Sequence, residues 1–293
     1  MQLTRAGQGH AAMLAFSALV AGSFSLGAMA APHVDPAVLS AMRFTIAAGI
    51  LAGVARTAGG TRAAVANAPW RWAVLGGLMA AYFVLMFEGL KTAAAVPTAA
   101  VFTLTPVMAA GFGWLFLRQR TTARMALALA LGAGGALWVI FRGDIGAMLR
   151  MEVGRGEAIY FWGCAAHAAY AALVRRLNRG ESAIVSTFLT MAGGTVLLAL
   201  WAAPALRQTD WAALPGIVWV TLAYVSVAAT ASTTWLVQFA SLRLPAAKVM
   251  AYTYLVPSWV ILWELAMHGS WPPALVGFGV VLTCAALALL LKD

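Results

Sequence analysis

Ten apolar segments of about 20 residues, joined by short polar connections, restrict this sequence to very few folds. About 20 residues of α-helix cross the ~30 Å hydrocarbon core of a bilayer. Only 10% of the 293 residues are charged, which is too few for the surface of a soluble protein of this size. We therefore predict an all-α membrane protein with ten transmembrane helices, near residues 10–30, 38–56, 70–90, 95–117, 123–142, 155–174, 184–204, 214–236, 245–267 and 272–291.

Two of the apolar segments contain a proline in their interior. Pro106 lies within residues 95–117 and Pro257 lies within residues 246–268, and an offset of 151 residues places one proline on the other. Proline removes a helical hydrogen bond, and membrane helices tolerate it where neighbouring groups satisfy the freed backbone. The matching prolines predict two helices that are kinked at corresponding places.

The same offset divides the chain into two halves, residues 1–147 and residues 148–293. Each half holds five predicted helices, and five is an odd number. The second half must therefore cross the membrane in the opposite direction, which predicts two inverted five-helix repeats. Duplicated halves with interrupted helices are typical of secondary transporters.

Lysine and arginine are distributed unequally between the two ends of the predicted helices. With both termini in the cytoplasm, 13 of these residues lie on the cytoplasmic side and five on the outer side. Cytoplasmic connections of membrane proteins carry such an excess. We expect a multi-pass protein of a bacterial-type inner (plasma) membrane with both termini cytoplasmic. The net charge of +10 then reflects topology and gives no reason to expect a nucleic-acid partner.

Several short motifs resemble those of a known family of transporters. They are Arg43 early in the second segment and the runs GLKT at 89–92, LTPV at 104–107 and GWLFL at 113–117. In these the chain resembles the EamA-type ten-helix exporters of the drug/metabolite transporter superfamily. Within that superfamily it is most similar to the YddG-type exporter of aromatic and other neutral amino acids.

The resemblance implies an integral membrane transporter that exports small metabolites, above all neutral and aromatic amino acids, through a central cavity by alternating access. The alternative is a broad-specificity drug efflux transporter of the same fold. Residues 10–30 contain no acidic residue, whereas small multidrug relatives use a membrane glutamate there for proton exchange. We therefore expect transport without obligatory proton exchange.

His167 is the titratable residue closest to the predicted membrane midplane. Eleven residues of helical rise from Gly156 place it about 16 Å deep. Tyr160, Gly163 and Tyr170 share its helical face. Two interpretations stay open, a substrate-binding role at the interface between the repeats and a hydrogen bond that holds neighbouring helices together.

Polar and aromatic side chains at helical spacing suggest the walls of a central cavity. Such walls are mostly apolar with few polar groups, which suits small neutral or aromatic solutes. The helix kinks at Pro106 and Pro257 are expected to flank the cavity. The predicted substrate-binding residues are Tyr82, Phe102, His167, Tyr224, Trp235 and Tyr252.

Four charged residues lie toward the outer side of the predicted bundle, namely Arg43, Glu88, Lys91 and Glu264. Glu88 and Lys91 are three residues apart, which favours a local ion pair. A second pair between Arg43 and Glu88 across helices would lower the cost of burying both. Two interpretations of that pair stay open, a structural link and a gate at the outer mouth.

Nothing in the sequence indicates an enzyme. His167 has no acidic neighbour in its segment, and Cys164 and Cys284 are isolated within predicted helices. A nucleophile–base pair or a metal site would need more ligands close together. We predict no catalytic residues, no metal and no cofactor. The expected partners are the lipid bilayer and a small-molecule substrate, with a monomer as the expected state.

Overall fold

The computed structural model describes residues 4–59, 61–141, 143–150, 153–269 and 274–291. Within these ranges all regular structure is helical, which confirms the predicted fold class. The long helices are α1 Arg5–Ala30, α2 Pro36–Ala58, α3 Trp70–Leu90, α4 Ala95–Leu117, α5 Ala123–Ile140, α6 Arg155–Leu177, α7 Ala183–Trp201, α8 Gly216–Ser241, α9 Ala246–His268 and α10 Ala274–Leu291. Short helices lie in three connections, at Thr61–Ala66, Ile145–Leu149 and Ala203–Gln208.

Nine of the ten long helices in the described part of the chain are long and apolar enough to cross a membrane. The other, α6, has 23 residues and is long enough, but charged residues in its first and last turns, Arg155, Glu157, Arg175 and Arg176, lower its mean hydropathy. The polar and aromatic side chains in its interior, Tyr160, His167 and Tyr170, are buried against neighbouring helices, so they do not meet lipid. Arg142 and Lys292, two of the cations counted for topology, lie outside the described residues, as does the predicted start of the last helix at Pro272.

Side-chain caps fix where several of the helices begin. The Asp35 carboxylate accepts hydrogen bonds from the backbone N–H groups of Ala37 at 2.9 Å and Val38 at 3.1 Å, and Pro36 occupies the first helical position of α2. The hydroxyl of Thr122 accepts a bond from the backbone of Met125 at the start of α5. Each cap satisfies backbone donors that the first helical turn leaves free.

Both proline-containing helices are interrupted. Helix α4 consists of Ala95–Phe102 and Thr105–Leu117, and Pro106 is the second residue of the latter piece. The side-chain hydroxyl of Thr105 donates to the carbonyl of Phe102, one of the groups that the interruption frees.

Helix α9 is interrupted in a similar way but over a longer stretch. It starts as Ala246–Met250, continues as a 3₁₀ turn at Ala251–Leu255 and resumes as Val256–His268. Pro257 is again the second residue of the resumed helix. A 3₁₀ stretch inside a helix often marks a hinge.

The two halves of the chain interlock and do not stand side by side. Helix α1 packs mainly against α8 and α9 of the second half, and α6 packs mainly against α3 and α4 of the first half. Helix α5 packs against α10, and α2 packs against α7. Backbones approach closely where glycines meet: a Cβ added at Gly76 would lie 2.3 Å from the backbone nitrogen of Gly194. Such small residues permit close helix contact in membranes.

Candidate functional site

Three of the predicted residues form a stack of rings at the centre of the bundle. Tyr82 of α3 lies 4.4 Å from His167 of α6, measured between ring centroids. Phe102 of α4 lies 5.4 Å from His167 and 5.7 Å from Tyr82. The three rings are nearly parallel, and none is more than 1% exposed. Each side chain comes from a different helix, so the ring stack joins three helices at one level.

Sequence reasoning missed the contribution of α1 to this group. Phe16 stacks on His167 at 6.1 Å, and Phe24 lies 5.9 Å from Phe102. Tyr160 of α6, noted from its helical face, lies 5.9 Å from Phe24. The only available signal was that two large rings occur among mostly small residues in α1. We call the rings of Phe16, Phe24, Tyr82, Phe102, Tyr160 and His167 the aromatic cluster.

The aromatic cluster contains few polar contacts. The Tyr160 hydroxyl donates to the Tyr82 hydroxyl at 3.4 Å. Among the described residues, the Nδ1 atom of His167 has no hydrogen-bond partner. The imidazole is therefore held by ring stacking, and the structure gives Nδ1 no role in linking helices.

Tyr224, Trp235 and Tyr252 are not part of the aromatic cluster. Tyr224 donates to the carbonyl of Leu19 at 2.8 Å. The hydroxyl of Tyr252 lies 3.2 Å from Nδ1 of His10. Tyr224 and Tyr252, two of the six predicted residues, thus contact the face of α1 that packs against α8 and α9. The aromatic cluster lies on the other face of α1, toward α3, α4 and α6. Trp235 packs instead against Phe239, one turn further along α8, at 5.4 Å.

Arg43 of α2 is fully buried near the aromatic cluster. Its Nε donates to the Thr230 hydroxyl at 2.8 Å, and its Nη2 donates to the Ala229 carbonyl at 3.3 Å. Glu88 pairs with Lys91 at 2.8 Å, as predicted. The predicted pair between Arg43 and Glu88 is wrong, because the guanidinium is directed toward α8 while Glu88 is partly exposed beside Lys91.

A second buried arginine joins two connections at the end of the bundle predicted to be cytoplasmic. Arg71, at the start of α3, forms an ion pair with Glu181 at 2.7 Å. It also donates to the backbone carbonyls of Leu177 at 2.5 Å and Asn67 at 2.7 Å. We call Arg71, Asn67, Leu177 and Glu181 the arginine clamp. It ties the connection before α3 to the connection after α6.

The arginine clamp keeps the Glu181 carboxylate ionised. Burial by itself raises the pKa of this carboxyl group, but hydrogen bonds from the Arg71 guanidinium and the Arg179 backbone outweigh it. The resulting pKa lies below the ordinary glutamate value. The two oxygens accept at 2.7 Å and 2.6 Å, as expected for a carboxylate that is held by charge-assisted bonds.

The described part of the chain holds ten long helices, two of them interrupted beside a proline, and a polar group buried between them. This is the architecture of a membrane transporter. The chain belongs to the EamA-like transporter family, whose profile matches residues 7–141 and again residues 154–292. It is accordingly a multi-pass membrane protein of a transporter family, which is the coarse identification that the sequence motifs suggested.

Individual relatives agree with this assignment. The uncharacterized transporter YyaM of Bacillus subtilis (strain 168) is 25% identical over 216 residues, which cover 73% of this chain and 71% of that protein. A solved crystal structure at 18% identity superimposes with a TM-score of 0.70 and covers 95% of both chains. The structural likeness establishes a shared fold.

Proposed function

We propose that this transporter exports neutral amino acids, including aromatic ones, in the manner of the YddG-type exporters that its motifs resemble. The aromatic cluster is the observation that carries this proposal. Its rings come from α1, α3, α4 and α6, so they join helices of both halves. Stacked rings with few polar contacts favour a flat, apolar side chain over a highly charged solute.

The closed packing of the aromatic cluster fits alternating access. Tyr82, Phe102 and His167 fill the centre, so a substrate enters only when the rings separate. Phe102 is the last residue before the interruption of α4, where the lost helical hydrogen bonds reduce the resistance to bending. On the other side of α1, Tyr252 lies in the 3₁₀ turn of α9. Both interruptions thus adjoin side chains that contact α1, which supports movement of the helices around α1 during alternating access.

We further propose that residues 1–147 and 148–293 are inverted repeats. Support comes from the two separate matches of the family profile and from the packing, since the first helix of each half contacts the third and fourth helices of the other.

The 13-to-5 distribution of cations supports cytoplasmic termini in a bacterial-type inner membrane. Labelling Asn178→Cys with an impermeant thiol reagent in intact cells tests the orientation, and labelling from outside would reverse it.

Broad drug efflux is the second candidate, and one cavity favours it. A cavity of about 300 Å³ lies between α4, α5 and α6. Its lining is mostly apolar and includes Leu137, Phe161 and Trp162, with Glu157 as the charged group. A lateral apolar cavity would admit hydrophobic compounds from the bilayer.

Counterflow of labelled phenylalanine into liposomes that contain the purified protein tests the proposed function. Phe102→Ala and His167→Ala should each reduce the rate about tenfold, since each removes stacking worth about 1 kcal/mol or more together with its burial. Phe278→Ala is the matched control, because its ring lies on α10 and is exposed on the outside of the bundle. Transport of cationic dyes without transport of any amino acid would establish drug efflux instead.

The same assay tests coupling to protons. A rate of phenylalanine counterflow that does not require a pH gradient would support uncoupled export.

A further inference from the structure

Arg43 is a buried charge that has no counter-charge among the residues that the structure describes. Its side chain is 0% exposed, and the groups that accept its hydrogen bonds, the Thr230 hydroxyl and the Ala229 carbonyl, are both neutral. The third nitrogen, Nη1, has no hydrogen-bond partner among the described residues. No carboxylate in the described part of the chain forms an ion pair with this guanidinium.

Such an arrangement is costly unless an anion joins it. A guanidinium stays protonated at any physiological pH. A charge at membrane depth is expensive, and an unpaired donor adds its own desolvation cost. The Phe83 ring, 3.8 Å from the guanidinium carbon, offsets part of the cost through a cation–π contact. The Phe83 ring supplies no hydrogen-bond acceptor in the plane of the guanidinium, so Nη1 still has no acceptor among the described residues.

Local structure holds the guanidinium in a fixed orientation. Thr230 and Ala229 belong to a π-helical turn, Val227–Ser232, in the middle of α8. Single π turns within α-helices are frequent at functional sites. The Ala229 carbonyl accepts from Arg43 and also from the Thr233 hydroxyl at 2.9 Å. With Nε and Nη2 directed at this turn, the edge that carries Nη1 is left for another acceptor.

The position of Arg43 relates it to the aromatic cluster. Phe83, which lies against the guanidinium, is 4.5 Å from the Tyr82 ring, and Tyr82 stacks on His167. One helical turn before Arg43, the buried hydroxyl of Ser40 also has no partner among the described residues. A cationic donor therefore lies one ring away from the site proposed for an aromatic side chain, and a hydroxyl without a partner among the described residues lies one helical turn from that cation.

We propose that Arg43 binds the carboxylate of the transported substrate through Nη1 while the substrate's side chain packs in the aromatic cluster. The proposal rests on the proposed amino acid export and specifies which substrate group is recognised. A carboxylate supplies both the missing charge and the missing acceptor. Compounds with the same ring but no carboxylate are then poor substrates, and the carboxylate is required more strictly than the α-amino group.

The test on the unmodified protein uses four related compounds as competitors of phenylalanine counterflow in liposomes. These are phenylalanine, 3-phenylpropionate, phenylalaninamide and 2-phenylethylamine. Phenylalanine and 3-phenylpropionate, which carry the carboxylate, should compete about 10- to 100-fold better than the other two, the range expected for a charge-assisted hydrogen bond. Equal competition by all four compounds would overturn the assignment of Arg43, even if phenylalanine is transported.

Variants locate the preference at Arg43. Arg43→Gln should abolish the carboxylate preference, Arg43→Lys should retain part of it, and Thr230→Val should weaken it because the guanidinium loses an anchor. Arg243→Gln removes the same charge near the end of α8 and should leave the preference unchanged. An unchanged preference in Arg43→Gln would refute the proposal.

Failure of the proposed function gives a different pattern. If the protein transports no phenylalanine, thermal stabilisation by 3-phenylpropionate and by 2-phenylethylamine is compared directly. Stabilisation by the carboxylate alone, lost in Arg43→Gln, would preserve the anion site while refuting amino acid export. Absence of any such difference would refute both.

Discussion

Arg43 and Arg71 are both buried to 0% exposure, yet they are neutralised in different ways. Arg71 in the arginine clamp pairs with Glu181 and fills its other donors with backbone carbonyls. Within the described part of the chain, Arg43 bonds to neutral groups alone and keeps one nitrogen without an acceptor. A complete set of partners is what a structural ion needs, whereas an incomplete set leaves room for a ligand. The contrast separates an arginine that holds connections together from one suited to binding a substrate.

Removing Arg71 should have the largest effect on stability. Arg71→Ala leaves the partly buried Glu181 carboxylate without its charge partner and the carbonyls of Leu177 and Asn67 without their donor, which together cost about 2–4 kcal/mol. Unfolding of the purified protein with SDS in mixed micelles measures this loss. The double variant Arg71→Ala with Glu181→Gln should recover part of it, because the stranded charge is gone. A loss below 1 kcal/mol would mean that the arginine clamp is not structural.

Acid should weaken the arginine clamp specifically. The pKa of Glu181 is lower in the folded protein than in the unfolded chain. The ionised carboxylate therefore contributes its full stabilisation of the fold at every pH above the ordinary glutamate pKa, including neutral pH. The contribution is lost as the pH falls from that value through the folded pKa. Glu181→Gln should therefore make the free energy of unfolding less dependent on pH in the acid range. Equal acid slopes in the two proteins would contradict the assignment of the carboxylate as ionised.

Removing Arg43 should affect stability far less than removing Arg71. Arg43→Met replaces an unneutralised charge with an apolar side chain, and such replacements are often neutral or stabilising. We expect the free energy of unfolding to stay within about 1 kcal/mol of the unmodified protein. Phenylalanine counterflow should nevertheless fall about 10- to 100-fold, the value of the charge-assisted hydrogen bond to the carboxylate. A drop in stability as large as that of Arg71→Ala would place Arg43 among the structural ions.

The exposed pair of Glu88 and Lys91 should show the smallest effect and serves as the reference for both arginines. These side chains are 40% and 34% exposed, so water screens their attraction. Lys91→Ala should change the free energy of unfolding by about 0.5 kcal/mol or less. A change comparable to that of Arg71→Ala would show that exposure does not explain the difference between the pairs.

Local sequence predicted the helices, because the length of an apolar segment and the position of a helix-breaking proline are both properties of neighbouring residues. Helices were placed within a few residues, and both helices that contain Pro106 and Pro257 are interrupted. The Glu88–Lys91 pair was predictable for the same reason, since three residues of helix bring the two side chains together. Arg43 and the motifs within residues 89–117 also led to the correct family.

Contacts between distant parts of the chain were decided by tertiary structure. Arg71 and Glu181 are 110 residues apart, and Arg43 and Thr230 are 187 apart. A hydropathy pattern records which residues avoid water, but it does not record which helix covers them. Helix α1 contributes to the aromatic cluster with one face and contacts Tyr224 and Tyr252 with another. This position of α1 was therefore unpredictable from the sequence. The sequence determined the spans and their breaks, and packing alone determined which buried charge found a partner.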